Sequence, residues 1–178
     1  MVKLADKHFE LFISAEEIQN EIVSIAERLN ADYAGKEVVF IAVLNGSFMF
    51  AADLLKHIKL DCQISFVKMS SYKGVRSSGT VEELIGLSTD LNNKEVVLIE
   101  DIVDTGLTID KIIGLVNEQT PASVKICTLL YKPTAFKGVN TPHFVGFSIP
   151  DAFVVGYGLD YLELGRNLDA IYQIKNIN

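Results

Sequence analysis

The sequence predicts an α/β protein with a mainly parallel central sheet flanked by helices, and three observations carry that reading. Apolar strand-like runs alternate with helical segments, as a parallel sheet with helical crossovers requires. Two of the runs, Val38–Leu44 (Val-Val-Phe-Ile-Ala-Val-Leu) and Val96-Val97-Leu98-Ile99, are apolar without alternation, the pattern of strands buried on both faces. The prolines Pro121, Pro133, Pro142 and Pro150 all fall between these elements, where they break nothing.

Taken in order, Ser14 and Glu17 have the spacing of a capping box, and Ile18, Ile22, Ile25, Ala26 and Leu29 then share one helical face. Gly35 follows as a stop, and Val38–Leu44 is a strand that ends at Asn45-Gly46. Residues 48–58 read as the next helix and 64–69 as a second strand. Residues 70–81 are polar, carry Gly74, Gly79 and several serines, and lack an apolar period, so they are read as a mobile loop. Asn92-Asn93 turns into the buried run at 96–99; helix is expected at 108–116, strand at 124–130, and short strands at 144–149 and 154–157. Ligands in such sheets bind beyond the carboxyl ends of the strands. The turns after Leu44, Ile99 and Leu130 are therefore where a site is sought.

The 178 residues suit a single domain, residues 1–178, and 49% apolar with 22% charged residues rules out wholesale disorder. Asp and Glu number 23 against 16 Lys and Arg, a net charge of −7. That balance argues against nucleic acid or an anionic membrane as partner, since both want a basic face. An anionic ligand must then be held by backbone donors, a few placed cations or a metal. Cys62 and Cys127 stand apart, with no C-x-x-C, and are read as buried reduced thiols. With no basic-then-apolar leader and no apolar stretch approaching the ~20 residues of a membrane span, a cytoplasmic protein is expected.

The segment with the most chemistry is Val96-Val97-Leu98-Ile99-Glu100-Asp101-Ile102-Val103-Asp104-Thr105-Gly106-Leu107-Thr108. A buried strand runs into two adjacent acids, and a small polar turn then opens a helix. The turn offers backbone N–H groups, a permissive glycine and two hydroxyls at a helix N-terminus, which is a phosphate cradle without lysine. Glu100 and Asp101 suit either vicinal hydroxyls or a divalent ion. A capped helix start with solvated acids is the plainer alternative, and it accounts poorly for so many acids and threonines directly behind a buried run. No G-x-x-x-x-G-K-[ST] is present, so this is not a P-loop, and Gly156-Tyr157-Gly158 lacks the third glycine of a dinucleotide fingerprint.

Glu100 to Thr108 resembles the ribose-phosphate signature of type I phosphoribosyltransferases. The rest of the chain narrows the resemblance to the hypoxanthine (hypoxanthine-guanine) phosphoribosyltransferases. Leu44-Asn45-Gly46-Ser47-Phe48 resembles their first loop, and Ser70-Ser71-Tyr72 the start of their flexible catalytic loop. Leu129-Leu130-Tyr131-Lys132-Pro133 resembles the purine-reading segment. Phe144 to Asp151, Phe153 to Tyr161 and Leu164 to Leu168 resemble the base-binding hood. The match covers nearly the whole chain in the right order.

The resemblance implies transfer of 5-phosphoribosyl from phosphoribosyl pyrophosphate (PRPP) to hypoxanthine, and to guanine, with Mg²⁺ as cofactor. It implies a hood formed by about 133–178 with N-terminal residues, a lid at 70–81 beginning with Ser70, Ser71 and Tyr72, and a homodimer or homotetramer. It gives Asp104 the role of base near the purine's N7. The amides of Asp104, Thr105, Gly106, Leu107 and Thr108, with both threonine hydroxyls, are implied to hold the 5′-phosphate. Glu100 and Asp101 are implied to hold ribose hydroxyls alongside a metal, and Asp160 to approach a second Mg²⁺. Lys132, Phe153, Val154 and Asp160 are placed about the purine, and Asn45, Gly46 and Arg166 about pyrophosphate. A cis peptide at Leu44-Asn45 is implied as well.

The chain departs from many relatives at Asn45, where they carry lysine; asparagine keeps a backbone contact and removes the charge. Two other readings stay open. A PRPP-binding regulator would carry a DNA-binding domain or a basic surface, and this chain is acidic. A different base is the other: the Lys132 and Phe153 segments argue against adenine and uracil, and xanthine is left open.

Overall fold

The buried runs lie side by side in one sheet. A computed structural model of the chain describes residues 1–71, 81–85 and 89–175. Its elements are β1 (Val2–Leu4), β2 (Lys7–Ile13), α1 (Ala15–Asp32), β3 (Val38–Leu44), α2 (Phe48–Leu55), β4 (Cys62–Ser71), β5 (Val81–Ile85), β6 (Glu95–Val103), α3 (Leu107–Asn117), β7 (Ser123–Tyr131), β8 (Phe144–Ser148), β9 (Val154–Val155) and β10 (Ile171–Ile174).

The main sheet has the order β5-β4-β3-β6-β7-β8. Strands β4, β3, β6, β7 and β8 pair in parallel, and β5 runs antiparallel at the edge. The α/β class and the mainly parallel sheet are as the sequence predicts. β3 shows why its run is continuously apolar. Val38, Phe40 and Ala42 join the core beneath α1 and α2. Val39, Ile41 and Val43 join the core beneath α3. The strand order reverses between β3 and β6, and a crevice forms at the carboxyl ends of strands at such a reversal.

Helix α1 starts with the expected capping box. Glu17 N donates to Ser14 Oγ at 3.3 Å, and Ser14 N donates to Glu17 Oε2 at 2.9 Å. Ile18, Ile22, Ile25, Ala26 and Leu29 are the buried face.

Four expectations need correction. Ser70 and Ser71 belong to β4 and Val81 opens β5, so part of the expected loop is an antiparallel ladder. Polar residues suit an edge pairing of that kind. Tyr72, Gly74, Gly79 and the lid as a whole lie outside the described residues. The helix expected at 48–58 ends at Leu55. Cys62 is exposed at the start of β4, whereas Cys127 is buried, and both are free. The strand expected at 154–157 stops at Val155, because Gly156 and the two residues after it turn with positive φ.

A second, antiparallel sheet has the order β1-β2-β10-β9. It joins the two ends of the chain: Ile171 pairs with Ile13 and Ile174 with Phe9. β8 joins the main sheet, while β9 and β10 belong to this smaller one. Among the described residues, no helix is long and apolar enough to cross a membrane.

Candidate active site

Strand β6 runs further than its apolar core and carries both acids within it. Side chains alternate across a sheet, so Glu100 and Asp101 face opposite sides. Glu100 lines a small cavity of about 90 Å³ beside α3, together with Asp104, Thr105, Gly106 and Thr108. Asp101 lines a larger cavity of about 310 Å³ on the other side. Asp104 and Ile102 border both.

Glu100 lacks a partner that a buried carboxylate needs, and the partners of Asp101 do not offset its burial. Glu100 Oε2 is buried with no hydrogen-bond partner. Burial, and then the charge of Asp101, raises its carboxyl well above the ordinary range. Burial pushes Asp101 up to about 6, against backbone amides and the Arg166 guanidinium, which pull the other way. Buried ionised groups left uncompensated are costly, so this pair has the electrostatics of a ligand site.

The turn after β6 is shaped for close approach. Gly106 has φ 81° and precedes α3, and a Cβ there would run into the Phe136 ring. No side chain caps α3 at this residue, which leaves first-turn amides available to an anion. Lys137 N donates to Thr105 O at 2.9 Å and braces the turn from outside. Leu107 is 55% exposed and its side chain is not part of the cavity wall; it can contribute only its amide.

The larger cavity gathers Asn45, Gly46, Asp101, Asp104, Lys132, Phe153, Val154, Asp160 and Arg166, all of them singled out in the sequence. Lys132 is only 6% exposed. Its backbone N–H donates to Val103 O at 3.0 Å, and its Nζ lies 2.9 Å from Asp104 Oδ2 and 3.3 Å from Asp151 Oδ1. Phe153 remains half-exposed at the cavity, with Tyr161 edge-on to its ring at 5.9 Å. Val154 is buried in β9. Arg166 Nη2 lies 2.6 Å from Asp160 Oδ1, and Nη1 donates to Gly158 O at 2.8 Å. The exposed Glu163 is a weaker partner of Arg166, at 3.6 Å.

The Leu44–Asn45 peptide is cis, as the resemblance implies. Gly46 packs so closely on Asp101 that a Cβ would overlap its carboxylate. Ile102 and Leu159 also line the large cavity, and Asp151 and Gly158 hold site side chains. Sequence reading gives none of these four a role of its own, although Asp151, Gly158 and Leu159 fall in the segments it likens to the hood. Ile102 was detectable by its place between Asp101 and Val103 on a strand; the others depend on the hood's turns.

A helix-opening turn without a side-chain cap, a buried acid pair with one unpartnered oxygen, and a lysine facing a carboxylate, all at one sheet reversal, suit a nucleotide-handling transferase. Residues 14–162 match the model of the phosphoribosyl transferase domain. The chain is 42% identical over 167 residues to the hypoxanthine-guanine phosphoribosyltransferase of Staphylococcus aureus strain Mu50, covering 93% of each. It is 40% identical to the hypoxanthine phosphoribosyltransferase of Buchnera aphidicola subsp. Schizaphis graminum, covering 94% of this chain and 97% of the relative. A crystal structure of a hypoxanthine-guanine phosphoribosyltransferase from Bacillus anthracis aligns with a TM-score of 0.88 at 40% identity, over 95% of this chain and 98% of that one. The chain belongs to the type I phosphoribosyltransferases, in their hypoxanthine-guanine group, and is a phosphoribosyltransferase enzyme.

Proposed function

We propose that this enzyme transfers the 5-phosphoribosyl group of PRPP to hypoxanthine, and to guanine, forming IMP or GMP and releasing pyrophosphate. The observation that carries the reading is Lys132: a nearly buried ammonium held against Asp104, between the phosphate turn and the exposed face of Phe153. The curated relatives bear the names of hypoxanthine and hypoxanthine-guanine enzymes.

The amides from Asp104 to Thr108 and the hydroxyls of Thr105 and Thr108 hold the 5′-phosphate. The ribose lies along Glu100 and Asp101, whose negative charge favours the cationic ribosyl carbon as the bond to pyrophosphate breaks. Phe153 stacks on the purine, and the Val154 backbone reads its edge. Lys132 donates to the 6-oxo group. Asp104 accepts the proton that the purine ring gives up as its nitrogen bonds to the ribose. Arg166 and the backbone at Asn45-Gly46 receive the pyrophosphate.

The residues present fit Mg²⁺. The orphaned Glu100 oxygen and the raised Asp101 both gain from a nearby cation, and hard carboxylate oxygens are the ligands Mg²⁺ takes. Among the described residues, no group of His, Cys, Asp or Glu forms a ready-made cage. Mg²⁺ is therefore assigned to substrate oxygens beside Glu100 and Asp101, which face opposite sides of β6, and a second ion to substrate oxygens beside Asp160, as Mg²⁺ is commonly held by one or two carboxylates and its substrate. When bound, it neutralises the departing pyrophosphate.

The reading includes a cytoplasmic setting, where both thiols stay reduced, and a homodimer or homotetramer, which sedimentation measures. The deciding experiment incubates the protein with PRPP, Mg²⁺ and each of hypoxanthine, guanine, xanthine and adenine, and identifies the nucleotide formed. IMP and GMP are expected. Formation of AMP alone, or of no nucleotide, would overturn the reading.

A further inference from the structure

Gly156, Tyr157 and Gly158 lie in succession in the left-handed region, at φ 97°, 48° and 97°. Glycine enters that region freely, but a tyrosine there persists only where its surroundings over-determine it. The surroundings are visible. Tyr157 is 2% exposed, and its hydroxyl donates to Asp53 Oδ2 at 2.5 Å. Gln19 Nε2 donates to the same oxygen at 3.1 Å. Burial acts to raise the Asp53 carboxyl, but the hydrogen bonds from Lys56, Tyr157 and Gln19 prevail and hold it below its ordinary value. Asp53 thus stays an ionised acceptor, on the helix that begins just after the Asn45-Gly46 turn.

The residue after Tyr157 touches the site directly. A Cβ on Gly158 would overlap the Gly46 carbonyl oxygen. Gly158 N donates to Arg166 O at 2.9 Å, and Gly158 O accepts from Arg166 Nη1 at 2.8 Å. Arg166 in turn pairs with Asp160. The purine side is held by other means: Val154 by its pairing with Gln173, and Lys132 by Val103 and Asp104.

We propose that the Tyr157–Asp53 hydrogen bond is a positioning latch for the pyrophosphate side of the active site, setting Gly158 against Gly46 and thereby aiming Arg166 and Asp160. The inference rests on the site assignment under Proposed function and adds Tyr157 and Asp53 to it as positioning residues.

The test is steady-state kinetics and calorimetric PRPP binding, with Mg²⁺, on Tyr157→Phe, which keeps the ring and removes the hydroxyl. Hydrogen bonds to charged groups support an increase of roughly tenfold in KM and Kd for PRPP, with kcat and the hypoxanthine KM changing by less than about threefold. Asp53→Ala should reproduce that pattern, and adding it to Tyr157→Phe should cost little more. Asp53→Asn retains an acceptor oxygen and should restore most of the affinity. Lys56→Gln, which removes the exposed donor on Asp53 Oδ1 but leaves Tyr157 and Gln19 on Oδ2, should change both KM values by less than about threefold. Equal rises in both KM values, or a lowered Tm with PRPP affinity intact, would show a merely structural role and overturn the latch. A wild-type enzyme that neither binds PRPP nor forms nucleotide would instead overturn the functional reading, and the latch with it.

Discussion

Strand β6 carries two glutamates, Glu95 at its amino end and Glu100 in its carboxyl-terminal half, and the two are treated in opposite ways. At the amino end, Glu95 accepts from Ser123 Oγ and lies 3.4 Å from Lys36 Nζ. The Ser123 hydrogen bond, with help from Lys36 and Lys125, holds its carboxyl below the ordinary value despite burial. At the carboxyl end, Glu100 has an oxygen without any partner, and Asp101 beside it is pushed up to about 6. One strand thus begins on a satisfied acid and carries, further along, one acid with an unpartnered oxygen and one raised by burial. Acids that folding alone selected would be paired as Glu95 is. A buried acid without a full set of partners gains when a ligand or cation arrives, and on the proposed function folding stability gives way to function at these positions.

The largest expected effect lies at the carboxyl end. Asp104→Asn keeps the side chain's size and removes its basicity, so kcat should drop by about 10²–10⁴-fold while the melting curve barely moves. Turnover close to wild type would take Asp104 out of the mechanism.

Next comes the discrimination proposed for Lys132. An ammonium has donors only, so a 6-amino purine leaves it unpaired where a 6-oxo purine satisfies it. Wild type should prefer hypoxanthine over adenine by at least about 10²-fold in kcat/KM, and Lys132→Ala should lose most of that margin. Competition kinetics with both bases would expose a misassignment if the preference survives the substitution.

Asp101→Asn bears on the comparison itself. A carboxyl raised from the ordinary range to about 6 makes the folded state bind more protons than the unfolded one between those values. Its ionisation therefore costs stability as pH rises from about 4 to about 6, and the whole cost is present above that window. Ligand-free Asp101→Asn should melt above wild type at pH 7.5, by roughly 1–3 kcal/mol or several degrees. The advantage should shrink as pH falls through 6 toward 4, and thermal melts across that range would show whether it does.

The smallest effect belongs to Glu95. Its lowered carboxyl contributes stability above the unfolded value, lost as pH falls through the folded one. Glu95→Gln should cost about 1 kcal/mol or less at pH 7, nothing at low pH, and leave kcat/KM within about twofold. A large loss of activity there would erase the distinction between the two ends.

Most of the main sheet and nearly all of the large cavity were legible in the sequence because the signals are local. Continuous apolar runs marked β3, β6 and β7, and the acids and the small polar turn sit directly behind one of them. The smaller sheet was illegible for the converse reason. β2 buries only Phe9 and Ile13 fully, and its partner β10 lies at the far end of the chain. No periodicity announces a pairing between residues 13 and 171. Nor could the opposite facing of Glu100 and Asp101 be read while the strand was thought to stop at Ile99. The Tyr157–Asp53 bond spans a sequence separation of 104 residues, and only the fold brings the two side chains together.

The most direct test of the account is the thermal shift produced by PRPP with Mg²⁺ at pH 7.5, compared between wild type and Asp101→Asn. A ligand that binds only the folded state raises Tm with its concentration. If the carboxyl end of β6 is kept unsatisfied for that ligand, the variant should start from the higher Tm and gain much less from PRPP and Mg²⁺. A variant that starts lower than wild type and gains as much as wild type would contradict the account.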